Sequence, residues 1–161
     1  MTFAEKQRFT HWWLWAILLS LAVVATLGLY QQLYRGEPFG DNPMSDTGLI
    51  VFAVSMYTFP VLFGILRLDT TIDSESISFH FVPFLKKSFK WTNVESAKVL
   101  EYGTEGGWGI KHSSKYGTVY STGGDYGMAV KMKDGRKFVI GTQKEEELKG
   151  FLEKSAHLVQ S

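Results

Sequence analysis

Four histidines are the first residues to examine for chemistry, because the sequence contains no cysteine. They are His11, His80, His112 and His157, and no two of them form an H-x-x-x-H or H-E-x-x-H pair. Those spacings would bring two imidazoles to one face of a helix, where they bind zinc. The sequence therefore predicts neither a metal site nor a disulfide framework.

One of these histidines, His112, lies beside Ser113 and Ser114, and Asp125 follows in the same glycine-rich region. Serine, histidine and aspartate are the residue types of a nucleophilic triad. Any serine-rich loop offers such a set, and no motif places these residues around a nucleophile. We therefore expect a protein that is not an enzyme.

The same region contains eight glycines from Gly103 to Gly127. It has no G-x-x-x-x-G-K-[ST] motif and no G-x-G-x-x-G that opens a helix, so we expect no nucleotide cofactor. Aromatic residues between the glycines favour strands joined by tight turns. Trp108, Tyr116 and Tyr120 are candidate interface residues, since aromatic side chains dominate interface hot spots. Core packing is the alternative, and for Trp108 it is an equally good interpretation.

Lys86, Lys87 and Lys90 form the densest basic cluster. They are candidate contacts for anionic lipid, at about 1 kcal/mol for each charge near a membrane surface. The alternative is a solvated strand edge, where lysine prevents pairing with other strands. The formal net charge of the chain is only +1, so we expect no nucleic-acid partner.

The elements that carry these residues include two long segments without charged side chains. Trp12–Tyr30 has nineteen residues and Leu49–Leu66 has eighteen, and neither contains Asp, Glu, Lys or Arg. A nineteen-residue helix is about 28 Å long, close to the hydrocarbon thickness of a bilayer. Buried helices of a soluble protein are the alternative, but the remaining chain is too short to cover both. We predict transmembrane helices over residues 12–30 and 49–66.

A cleaved signal peptide is a further alternative for the first segment. Lys6 and Arg8 precede it, and Val23–Ala25 resembles a cleavage site. However, the segment stays apolar to Leu29 and begins with bulky tryptophan, which favours a retained helix.

The distribution of lysine and arginine predicts the orientation of the helix pair. Lys6 and Arg8 precede the first segment and Arg67 follows the second, whereas the loop between them has only Arg35. By the positive-inside rule, we expect both termini in the cytoplasm and the protein integral to the membrane.

Residues 67–161 predict a second region of about seven short strands and one helix. Asp134-Gly135 predicts a tight hairpin. Thr142–Glu145 predicts a capping box that starts the helix. The apolar face of this helix is expected to comprise Leu148, Phe151, Leu152, Ser155 and Val159. Two bent antiparallel sheets with one closing helix fit this count, which makes the chain an α+β protein.

Four pieces of this region resemble bacterial pleckstrin-homology-like (PH-like) domains, which are often fused to paired transmembrane helices. They are Leu68–Ile72, Lys90–Val94, Gly106–Lys111 and Ile140–Gln143. The resemblance covers about Arg67 to Leu158. It implies a transmembrane hairpin in residues 1–66 and a small PH-like barrel in residues 67–161, closed by the C-terminal helix. It also implies self-assembly and no catalysis.

We therefore expect a membrane-anchored interaction or scaffold module at the cytoplasmic face of a bacterial membrane. Its expected partners are the lipid bilayer and either further copies of the chain or another membrane protein. The alternatives are a module that binds or senses anionic lipid, and an accessory subunit of a transport or envelope complex. The turn Asp73–Ser76 carries two acids and no base, unlike the basic first hairpin of phosphoinositide-binding pleckstrin domains.

Overall fold

The computed structural model describes residues 2–103 and 108–155. Contacts between Cα atoms divide the chain into two compact units. We call Thr10–Ile65 the helical unit, and Met1–Phe9 together with Leu66–Ser161 the sheet unit. Four residues used in the predictions lie outside the described part of the chain: Gly106, Gly107, His157 and Val159.

The helical unit contains two apolar helices. Helix α1 spans Trp12–Leu29 and continues into a π-helical turn, Tyr30–Tyr34, and α2 spans Asp46–Ile65. Both are long and apolar enough to cross a membrane. Their apolar side chains are largely exposed, for example Val61 at 62%. Such exposure is typical of helices that face lipid and unlike a helix in a soluble core.

Ser45 caps the start of α2. The Ser45 Oγ atom accepts a hydrogen bond from the Gly48 N–H at 3.2 Å. This bond satisfies one of the amides that a helix leaves unpaired at its first turn.

Sheet A joins the N-terminal flank to the residues that follow α2. Its strands, in spatial order, are β1 (Phe3–Arg8), β2 (Arg67–Ile72), β3 (Ser76–Val82) and β4 (Leu85–Lys90). All neighbours are antiparallel, and β1 pairs with β2 from Phe3 opposite Ile72 to Arg8 opposite Arg67. The N-terminal flank, which the sequence-based prediction grouped with the helices, therefore belongs to the same compact unit as the residues after α2.

Sheet B contains five strands: β5 (Val94–Glu101), β6 (Gly109–Ser113), β7 (Gly117–Ser121), β8 (Tyr126–Met132) and β9 (Lys137–Thr142). Their spatial order is β5-β8-β9-β7-β6, and β7 and β9 run parallel. The predicted hairpin at Asp134-Gly135 is confirmed between β8 and β9. Gly135 has a φ of +87°, the left-handed conformation that such a turn requires.

The described strands form two sheets and no closed barrel, so this part of the predicted architecture is not reproduced. There are nine described strands where the sequence predicted about seven, and one of the additional strands is β1. The α+β class, the two apolar helices and the C-terminal helix agree with the prediction.

The hydrophobic core lies between the two sheets. Phe79 on β3 packs against Phe138 on β9, with ring centroids 5.9 Å apart. Residues of β3 and β8 alternate between buried and more exposed, and the inward residues are buried: Ile77, Phe79, Phe81, Met128, Val130 and Met132. Trp91 is also buried, and its Nε1–H donates to the Asp73 carbonyl at 2.8 Å.

Buried polar side chains attach β1 to sheet B. Thr142 Oγ1 donates to Glu5 Oε2 at 2.7 Å, and the Gln143 N–H donates to Glu5 Oε1 at 2.8 Å. Gln7 Nε2 donates to the Gly141 carbonyl at 2.7 Å and its Oε1 accepts from Thr122 Oγ1 at 3.1 Å. We call Glu5, Gln7, Thr122 and Thr142 the polar latch, since they connect the strand before α1 to the opposite sheet.

Helix α3 spans Glu145–Lys154, and its buried residues include Leu148 and Phe151, as predicted. The predicted capping box at Thr142–Glu145 is wrong. The N-cap residue is Lys144, which makes no side-chain cap, and Thr142 belongs to β9. The Thr142 hydroxyl donates to Glu5 and accepts from the Lys144 N–H at 3.0 Å, before the helix begins.

Candidate functional site

The outer face of sheet A concentrates positive charge. Strand alternation sends Lys6, Arg8, Arg67, Lys86 and Lys90 to this face, which we call the basic face. Register places Lys6 opposite Asp69, Asp69 opposite His80, and His80 opposite Lys86. Asp69 is the one acid of the described strands on this face, and its Oδ2 atom lies 2.9 Å from Arg67 Nε.

Two arginines of the basic face lie directly across from each other. Arg8 on β1 pairs with Arg67 on β2. Like charges at directly opposed positions destabilise a sheet unless a counter-charge is present. Asp69 supplies one such charge to Arg67, so a further anion near Arg8 would relieve the remaining repulsion.

The end of sheet A that carries these arginines also leads into both helices. Arg8 lies four residues before the start of α1, and Arg67 two residues after the end of α2. Val82 pairs with Arg67, so the β3–β4 turn lies at this same end. Phe84 in that turn is 63% exposed. An exposed aromatic side chain beside arginine and lysine is the usual composition of a membrane-interface contact.

The lysines predicted to contact lipid do not share one face. Lys86 and Lys90 lie on the basic face with Ser88, whereas Lys87 lies on the inner face with Phe89. Lys87 Nζ donates to the Tyr120 hydroxyl at 2.9 Å and lies 5.4 Å from the centre of the Tyr120 ring. The predicted cluster is therefore divided between two surfaces, because neighbouring residues of a strand point in opposite directions.

The three aromatic residues predicted at an interface differ in exposure. Tyr120 is only 3% exposed and packs against Phe79, with ring centroids 4.7 Å apart, so it belongs to the core. Trp108 is half-buried, and its ring lies edge-on to Phe9 at 6.3 Å. Tyr116 is half-buried in the β6–β7 turn, where Lys115 Nζ lies 4.8 Å from its ring centre. Burial argues against Tyr120 as a surface contact.

The predicted triad residues are placed apart. His112, Ser113 and Ser114 line a cleft between the two sheets, and Asp125 is not among its lining residues. His112 pairs with Thr118 near the start of β7, whereas Asp125 follows the far end of that strand. At about 3.3 Å per strand residue, the position of His112 and the far end of β7 lie roughly 10 Å apart along the strand. Among the described residues no group of three or more His, Asp or Glu could hold a metal.

Two further turns of the sheet unit, β2–β3 and β8–β9, each contain a carboxylate that makes hydrogen bonds within the turn. Asp73 Oδ1 accepts hydrogen bonds from the backbone N–H groups of Glu75 and Ser76 at 2.8 and 2.7 Å, and these bonds lower the pKa of Asp73. Asp134 bonds Arg136, which lowers the pKa of Asp134. Both carboxylates stabilise turns, and neither is placed as a proton donor or acceptor for chemistry.

Sequence reasoning missed the contribution of β1. Its buried positions are Phe3, Glu5 and Gln7, and the two polar residues among them hide the apolar alternation of a strand. Comparison with known proteins adds no assignment: no protein-family model and no curated protein matches the chain.

Proposed function

We propose that the chain is a membrane-anchored interaction module with a PH-like sheet unit at the cytoplasmic membrane surface, and that it has no catalytic role. The observation that carries this proposal is the pairing of β1 with β2. Strand β1 precedes the first helix and β2 follows the second, so the chain enters and leaves the helix pair from the same sheet. Under this proposal the sheet unit lies on a single side of the membrane.

The charge distribution supports the cytoplasmic side for the sheet unit. The helix flanks carry Lys6, Arg8 and Arg67, whereas the loop carries more acids than bases. The same pairing supports retention of the first helix, since cleavage after Ala25 would remove β1 and leave the partners of Glu5 and Gln7 unpaired inside the sheet unit.

Cysteine accessibility tests the orientation, because the chain has no native cysteine. We expect Asp41→Cys, in the loop, to react with an impermeant maleimide in intact cells. Glu153→Cys on α3 should react only after the membrane is opened. Labelling of Glu153→Cys in intact cells would contradict the cytoplasmic placement.

Anionic lipid is the first partner that we propose for the module. The basic face, the opposed arginines and the exposed Phe84 support lipid headgroups as the ligand. Each cation near an anionic surface contributes about 1 kcal/mol, or about five-fold in affinity.

Native mass spectrometry from nanodiscs that mix phosphatidylglycerol with phosphatidylcholine tests this lipid contact. We expect the Lys86→Gln/Lys90→Gln variant to retain less phosphatidylglycerol than the unaltered chain. The charge-matched control is Lys98→Gln/Lys111→Gln, on β5 and β6 of sheet B, which should retain the same amount as the unaltered chain. Equal losses in the two variants would contradict a lipid contact at the basic face.

Self-assembly is a second candidate, and the edge strand β6 favours it. β6 lies at the edge of sheet B, and Ile110 on this strand is 44% exposed. Trp108 and Tyr116 flank the same strand. An exposed apolar edge is a surface for pairing with a second copy. We expect Ile110→Lys to convert a multimer into a monomer, as measured by native mass; an unchanged mass would exclude this edge.

A further inference from the structure

The cleft between the two sheets is a second charged surface, separate from the basic face. It has a volume of about 370 Å³ and lies between β4 of sheet A and β6, β7 and β9 of sheet B. Its basic lining residues are Lys87, His112, Arg136 and Lys137, and no acid is among the described residues that line it. A small anion can therefore enter without meeting a carboxylate on the cleft wall.

Lys87 is a cation of the cleft without a carboxylate partner, since it forms no ion pair with any described residue. Lys137 lies at the edge of the cleft, but alternation along β9 sends its side chain to the outer face of sheet B, opposite Lys131. Lys87 donates one hydrogen bond, to Tyr120, although an ammonium group has three donors. Arg136 is paired with Asp134 at the edge of the cleft, and both side chains are more than half exposed. Positive charge thus exceeds negative charge around this cavity.

Neutral hydrogen-bonding groups lie between the cations. The side chains of Ser114, Thr118 and Tyr120 line the cleft. Hydroxyl groups donate to phosphate oxygens, and lysine binds phosphate as a point charge. The remaining wall is aromatic: Phe89 and Phe138 are stacked with ring centroids 4.8 Å apart, which provides apolar surface for the organic part of a ligand.

We propose that this cleft binds a phosphomonoester dianion. Lys87 from sheet A and Arg136 from the β8–β9 turn, whose guanidinium lies 5.9 Å from the centre of the Phe89 ring, bind the phosphoryl oxygens. The hydroxyls donate to these oxygens, and the aromatic wall contacts the esterified group. A dianion matches these two cations better than a carboxylate of single charge does. The ligand is either a soluble phosphorylated compound or the headgroup of a phosphatidate-type lipid. This site is independent of the lipid contact proposed for the basic face.

Adjacent lysines of β4 provide a matched test. Lys87→Gln removes a cleft cation and keeps a donor for Tyr120, whereas Lys86→Gln removes the same charge from the basic face. The full-length protein in neutral phosphatidylcholine nanodiscs is titrated with phenyl phosphate, and binding is measured by calorimetry. We expect Lys87→Gln to weaken binding about ten-fold or more, the usual effect of losing a charged hydrogen bond. Lys86→Gln should bind like the unaltered chain.

Two further measurements complete the test. Arg136→Gln, at an exposed position of the cleft wall, should weaken phenyl phosphate binding as well, which guards against misfolding in Lys87→Gln. Nanodiscs that contain phosphatidate distinguish the sources: binding of phenyl phosphate assigns a soluble ligand, and Lys87-dependent retention of phosphatidate alone assigns a lipid headgroup. The proposal would be overturned if the protein neither bound phenyl phosphate nor retained phosphatidate. It would also be overturned if Lys86→Gln weakened binding as much as Lys87→Gln.

Discussion

Lys86 and Lys87 are neighbours in the chain, yet they belong to two different surfaces of the sheet unit. Lys86 lies on the basic face, among exposed arginine and lysine side chains at the end of sheet A that leads into the helices. Lys87 lies between the sheets, held by the Tyr120 hydroxyl and bordered by aromatic rings. The open surface suits many headgroups, whereas the cleft suits one ligand of defined shape.

The two surfaces also depend on different parts of the fold. The basic face needs only sheet A, because its residues follow from alternation along β1, β2 and β4. The cleft needs both sheets in their observed packing, since its walls come from each. Variants that separate these requirements should therefore affect the two surfaces unequally.

The largest expected effect comes from the wall of the cleft. Gly117 has a φ of +75°, and a Cβ atom there would lie 2.0 Å from the Lys137 carbonyl oxygen. Gly117→Ala should lower the free energy of unfolding by about 3 kcal/mol or more, measured by chemical denaturation of the full chain in detergent. The control is Gly150→Ala on α3, where no atom lies within 4 Å of a new Cβ. It should be neutral or stabilising by up to about 1 kcal/mol, and an equal loss in both variants would contradict this account.

A smaller effect is expected when the polar latch is broken. Gln7→Ala leaves the Gly141 carbonyl and the Thr122 hydroxyl without their partner, at a cost of about 1–3 kcal/mol. Hydrogen exchange should rise in β1 and β2, which carry the basic face, and much less in β6. Lys6→Ala changes the exposed side of the same strand and should alter stability by less than about 0.5 kcal/mol. Equal exchange in the two variants would show that the latch does not hold β1.

Salt should distinguish the two surfaces without any substitution. The Debye length falls from about 10 Å at 0.1 M salt to about 3 Å at 1 M, and exposed charges are screened more than partly enclosed ones. We expect retention of phosphatidylglycerol at the basic face to fall steeply over this range. Binding of phenyl phosphate in the cleft should weaken less. A parallel decline would mean that the cleft is as open to solvent as the basic face.

The smallest expected effect is on the pH dependence of stability, and it comes from the β2–β3 turn of sheet A. The backbone hydrogen bonds from Glu75 and Ser76 lower the folded-state pKa of Asp73 below its unfolded value. The stability that they contribute is present above the unfolded pKa of about 4 and is lost as the pH falls towards the lowered one. Asp73→Asn should therefore reduce the acid dependence of unfolding slightly, as measured by denaturation at several pH values. An unchanged acid dependence would contradict this role.

Local patterns in the sequence determined much of the architecture. Uncharged length alone predicts the two helices, and alternation predicts β3 and β8, because both signals depend only on neighbouring residues. The hairpin at Asp134-Gly135 is equally local, since its residue types suit the turn conformation.

Only the tertiary structure decided which segments meet. The β1 strand has polar residues at its buried positions, so nothing in its own sequence indicates that Glu5 reaches Thr142 across the core. Thr142 likewise continues β9 through its pairing with Tyr126, so the helix begins later than the local pattern predicts, with Lys144 as the N-cap. The strand period already separates Lys86 from Lys87, but the partners of each depend on the packing of the two sheets. Pairing between distant segments is set by the complete set of buried contacts, which a local pattern does not contain.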